Sequence, residues 1–99
     1  MYISNLTHFL DEEGNIAQAM QKEGRKMAAF LAMVVDACTT MRPLNKTDIN
    51  IRCFKRGCHG RIIAELRYPE MTVHWECPSC TNAGIVSGWE KTKWDNITV

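Results

Sequence analysis

Four cysteines fall in two close pairs in the second half of a 99-residue chain: Cys53 with Cys58, and Cys77 with Cys80. The segments that carry them, Cys53-Phe54-Lys55-Arg56-Gly57-Cys58-His59-Gly60 and Cys77-Pro78-Ser79-Cys80-Thr81-Asn82-Ala83-Gly84, are rich in turn formers. Each therefore sets two thiols across a tight turn, with glycine at hand for a backbone of positive φ. Two such turns supply the four sulfurs of a tetrahedral site, which holds a divalent ion at about 2.3 Å. The chain begins Met1-Tyr2-Ile3-Ser4-Asn5, without the basic start and apolar run of a secretory signal, and no stretch approaches membrane-spanning length. A cytoplasmic setting is the expectation, with no membrane partner. In a reducing compartment paired cysteines favour metal over disulfides. The fifth cysteine, Cys38, stands apart on an apolar stripe and reads as a small buried residue.

The elements that must position these turns follow from hydrophobic period. Ile16, Met20, Met27, Leu31, Val34 and Cys38 recur at helical spacing once Gly24 takes its place in the stripe, with Asn15 as the cap and Gln18 returning a hydrogen bond. A helix over residues 16–40 is expected, ending before Arg42-Pro43. Residues 27–35 are apolar around the whole circumference, so this helix needs cover on more than one side. The cysteine half would give one cover, and a second copy or a protein partner bound through residues 27–38 the other. Residues 41–48 read as a linker, 49–52 as a strand leading into Cys53, 61–68 and 71–76 as a hairpin about Pro69-Glu70, and 85–89 as a further strand. Because the hairpin ends at Cys58 and Cys77, pairing its strands brings the two cysteine turns together. The chain divides into a helical segment with its linker, residues 1–48, and a cysteine-bearing segment, residues 49–99, which together make one small domain.

Two cysteine turns joined by a β-hairpin, the second of the form Cys-Pro-x-Cys, resemble the zinc ribbon group over residues 49–89. Here the first pair is spaced by four residues where two is commoner, and Thr81 stands where such turns often have glycine. The resemblance implies one structural zinc held by Cys53, Cys58, Cys77 and Cys80. The expected fold is α+β: an N-terminal amphipathic helix packed on a small three-stranded zinc-ribbon sheet. Members of the group serve transcription, translation, nucleic-acid modification and scaffolding, so the resemblance names no single activity. Iron is the other metal a four-thiolate site accepts, and a rubredoxin-like electron carrier is the minor alternative. Catalysis is not expected. Four sulfurs close the coordination shell that a catalytic zinc keeps open, no glycine-rich phosphate loop occurs, and no small-molecule substrate is inferred. His59 and His74 read as polar surface residues beside that closed shell.

Arg52, Lys55, Arg56 and Arg61 surround the first cysteine turn with no acid among them, in a chain whose formal net charge is only +1. These cations have two readings. They offset the net negative charge of four thiolates around a divalent ion. Alternatively they face phosphates, with Phe54, Trp89 and Trp94 as stacking surfaces and Lys91 and Lys93 as further phosphate contacts. Trp75, next to the second turn, is expected to pack in the core. The function expected from the sequence is a non-catalytic nucleic-acid-binding or regulatory module. The alternative is an interaction adaptor or homodimer assembled through the apolar helix.

Overall fold

The computed structural model describes residues 1–98. Strict alternation builds the sheet. In β3 (Arg61–Arg67), Ile62, Ala64 and Leu66 point inward while Arg61 and Arg67 face solvent. The same period runs through β2 (Thr47–Arg52), with Ile49 and Ile51 inward, and through β4 (Thr72–Glu76), with Val73 and Trp75 inward. In β5 (Ala83–Ser87) Gly84 and Val86 point inward. A Cβ on Gly84 would lie 2.7 Å from the Trp75 indole, so the bare glycine makes room for that ring across the strand pair.

The strands form one sheet in the order β1-β5-β4-β3-β2, antiparallel except that β1 (Tyr2–Asn5) runs parallel to β5. Helix α1 (Lys22–Met41) lies on one face of this sheet, against β2, β3 and β4. A sheet of three strands and an N-terminal helix are therefore both corrected: the sheet has five strands, and a strand and a 3-10 turn (Leu6–Phe9) precede the helix. The strand over residues 49–52, foreseen beside the ribbon, pairs with β3 and so belongs to the sheet. The first strand escaped because it has four residues, shows no clear alternation, and pairs with residues more than eighty positions away.

The helix begins at Lys22 and not near residue 16, because the preceding loop satisfies its own backbone. Asp11 Oδ1 accepts from the N–H groups of Glu13 (2.9 Å) and Asn15 (3.0 Å), and Leu10 forms a β-bridge with Ile16. A side chain that bonds nearby N–H groups in this way competes with a helix start, so Asn15 never becomes a cap. At the other end Arg42 takes up left-handed backbone (φ 52) and donates its N–H to Cys38 O at 2.7 Å, which closes α1 one residue before Pro43. Residues 41–48 are tied down as well, since Leu66 N–H donates to Pro43 O at 2.7 Å.

The apolar girth of α1 is used within the chain. Leu6 and Trp89 are fully buried in one cluster with Leu31, Val34, Val35, Cys38, Ile62 and Val73, and Phe9, Trp94 and Ile97 pack against it. The C-terminal segment is strapped to the helix by polar groups. Thr39 Oγ1 donates to Trp94 O (2.9 Å), and Asn96 Nδ2 donates to Asp36 Oδ1 (2.8 Å). A stripe through Lys22, Lys26, Ala29, Met33, Asp36 and Thr40 stays exposed, with Glu23 and Met41 at the helix ends. Among the described residues no helix is long and apolar enough to cross a membrane.

Asp95 organises the strap, accepting backbone N–H bonds from Lys91 and Ile97 (2.8 Å each) and Thr98 (3.0 Å). Burial works against its charge, but the N–H groups outweigh burial and hold its carboxyl below the usual range. A carboxyl lowered by folding contributes stability above its unfolded value of about 3.9, and that contribution is lost as pH falls through the lowered folded value. Protection of the amides of residues 91–98, corrected for the intrinsic exchange rate at each pH, should therefore fall on acidification below about pH 4 in the native protein, and much less in Asp95→Asn.

Candidate metal centre

Each cysteine turn joins two antiparallel neighbours. The first links β2 to β3, whose last pair is Arg52 with Arg61, and the second links β4 to β5, whose last pair is Glu76 with Ala83. Because β3 and β4 are themselves neighbours, both turns emerge at the same end of the sheet. Backbone bonds close them: Cys53 N–H to Gly60 O (2.9 Å) in the first, and Cys77 N–H to Asn82 O (2.7 Å) with Thr81 N–H to Cys77 O (2.9 Å) in the second.

The four sulfurs converge, all lying within 4.8 Å of one another. The short contacts cross between the turns, with Cys53 and Cys80 Sγ at 3.6 Å and Cys58 and Cys77 Sγ at 3.7 Å. Bonds of about 2.3 Å to a central ion give a tetrahedron with edges of about 3.8 Å, so these separations fit metal coordination. They are far longer than the ~2.05 Å of a disulfide. The four-cysteine cluster can hold a metal ion, and neither histidine joins it. His74 lies on the outer sheet face, where burial lowers its pKa and Nε2 meets Thr72 Oγ1 at 3.2 Å.

Backbone N–H groups are already aimed at the sulfurs, that of Lys55 at Cys53 Sγ (3.5 Å) and that of Gly60 at Cys58 Sγ (3.4 Å). Burial pushes the Cys53 thiol up to about 12, with the neighbouring thiols of Cys80, Cys58 and Cys77 adding to it. For Cys77 burial also opposes ionisation, but the N–H groups of Cys80 and Ser79 and the thiols of Cys58 and Cys80 bring it down to about 7. A bound divalent ion would draw the protons from the thiols that coordinate it. Cys38 takes no part: it is fully buried in the core, and burial pushes its thiol up to about 12.

Two backbone features shape the turns. A Cβ on Gly60 would sit 2.5 Å from Cys77 Sγ and 2.8 Å from Ser79 Cβ, so only glycine lets the turns meet. Thr81, where glycine is common in such turns, adopts left-handed backbone (φ 64). That conformation costs a β-branched residue about 1–2 kcal/mol. Thr81→Gly should recover roughly 1 kcal/mol in urea unfolding with metal content unchanged.

The structure separates the six candidate cations. Lys55 and Arg56 are exposed and line a cleft of about 370 Å³ over the outer side of the cluster, with Gly57, His59 and Ser79 and the edges of Cys58 and Cys80. Arg61 is turned away into an ion pair with Asp48 (2.9 Å), and Arg52 stands opposite it at the β2 edge. Lys91 and Lys93 belong to the C-terminal strap, where Lys93 bonds Asn15. The expected stacking surfaces are corrected too. Trp89 is fully buried, and Phe54 is half-buried against Phe30 (ring centroids 4.8 Å) in an aromatic group that includes Tyr2 and Trp75. Phe54 thereby anchors the first turn on α1, a role that its place between two cysteines did not reveal. Trp75 is buried, as expected of it. No family model, no curated protein and no solved structure matches the chain.

Proposed function

We propose that Cys53, Cys58, Cys77 and Cys80 hold one structural zinc ion, and that the surface fixed by it is a non-catalytic nucleic-acid-binding module. Zinc suits a closed set of four thiolates that serves shape and not electron transfer. Iron suits the same donors, and a red protein would point to the electron-carrier alternative. The observation that carries the nucleic-acid reading is the cleft beside the sulfurs, lined by the exposed Lys55 and Arg56 and by no acidic residue. Three of the chain's other cations are paired with acids, Lys46 with Glu76, Arg61 with Asp48 and Arg67 with Glu65. Four thiolates around a divalent ion draw cations towards them, but that attraction alone would favour side chains folded over the sulfurs. Exposed cations around an open cleft remain available to phosphate oxygens.

Fluorescence anisotropy with short single-stranded RNA and DNA at low salt tests the reading. Binding should weaken as salt rises, and Arg56→Ala should reduce it about tenfold with the metal retained. Absence of binding to either nucleic acid in low salt would sink it.

A further inference from the structure

Lys55 and Arg56 are exposed and share one cleft beside the cysteine cluster. Nucleic-acid proteins that follow a strand align basic side chains along a groove over several nucleotides. In this chain Arg61 is paired on the sheet face, and Lys91 and Lys93 lie on the strap that crosses α1. In the cleft beside the cysteine cluster, Lys55, Arg56 and His59 from the first turn face Ser79 from the second. Its volume of about 370 Å³ suits one nucleotide-sized group. Its lining offers an ammonium, a guanidinium, a hydroxyl and the His59 imidazole, and no Phe, Tyr or Trp ring.

From this convergence we infer that the cleft is a pocket for a terminal phosphate, the phosphomonoester at the end of a nucleic-acid strand. A monoester presents three terminal oxygens and close to two negative charges near neutral pH, whereas an internal diester presents two oxygens and one charge. Lys55, Arg56 and the Ser79 hydroxyl together match the larger set. The fork of Arg56 can take two oxygens at once, which a lysine cannot. The second charge doubles the Coulomb attraction to the ammonium of Lys55 and the guanidinium of Arg56. The inference rests on the nucleic-acid reading and narrows it to strand ends.

The test uses the metal-loaded full chain and single-stranded oligonucleotides of one sequence carrying a 5′-phosphate, a 3′-phosphate or hydroxyls at both ends, titrated by anisotropy. A phosphorylated end should bind at least about tenfold tighter than the hydroxyl form, and Arg56→Ala and Ser79→Ala should erase that difference while metal content stays at the native level. Equal affinity for all three oligonucleotides would overturn the terminal-phosphate pocket and leave nucleic-acid binding in place. No binding of any oligonucleotide would overturn both. A phosphoserine peptide that competes as well as the phosphorylated strand would overturn the assignment to nucleic acid ends.

Discussion

Chelation of the metal-loaded protein should remove most of its stability. Structural zinc in small domains contributes on the order of 10 kcal/mol, and a whole domain of this size is stable by only about 5–15 kcal/mol. The sulfurs are part of the core, since Cys53 and Cys77 are buried in the same cluster as Ile62, Val73 and Trp75. Releasing them frees both turns, and with them the ends of β2, β3, β4 and β5. Thermal unfolding followed by tryptophan fluorescence should lose its cooperative transition, or fall by tens of degrees, in excess chelator and regain it on adding zinc. Cys77→Ser, at a fully buried position, should act like chelation and resist rescue by zinc. An unchanged melting curve in chelator would show that the core holds without the metal.

Gly60→Ala is expected to act nearly as strongly through a single methyl group. The added carbon meets Cys77 Sγ and Ser79, which belong to the opposing turn and to the donor set itself, so the turns cannot close. Metal content should fall well below one ion per chain, and the melting curve should resemble that of the chelated protein. Gly57→Ala makes the matched control. Gly57 has left-handed backbone (φ 83) but open space where its Cβ would be, so alanine costs about 1 kcal/mol of strain and leaves the metal in place. Equal damage from both substitutions would mean that generic turn strain, and not the approach of Gly60 to the sulfur, limits the site.

Legibility followed the range of the interaction. The cysteine turns, the β3–β4 hairpin and the strand leading into Cys53 depend on neighbours within about twenty residues, and their periods and spacings stand in the sequence. The metal cluster was legible because one hairpin register suffices to superpose its two halves. The pairing of β1 with β5 joins the ends of the chain, and a four-residue strand carries no period with which to announce that. The signal that could have found it is Gly88, where any side chain would overlap Asn5, but a lone glycine has many explanations. The helix start was displaced by Asp11, whose carboxylate organises a loop over residues that carry helical spacing. In the sequence Trp89 stays open between a packed strand end and a binding edge, because charged residues flank it. Its fully buried ring and the exposed Lys91 show how a strap alternates between core and solvent with no regular period.

The convergence of the four sulfurs underlies every functional statement, and metal stoichiometry tests it most directly. Elemental analysis of the full chain purified without oxygen should find one zinc ion per molecule. Metal-free protein, still folded and unable to take up zinc at stoichiometric concentration, would contradict the account.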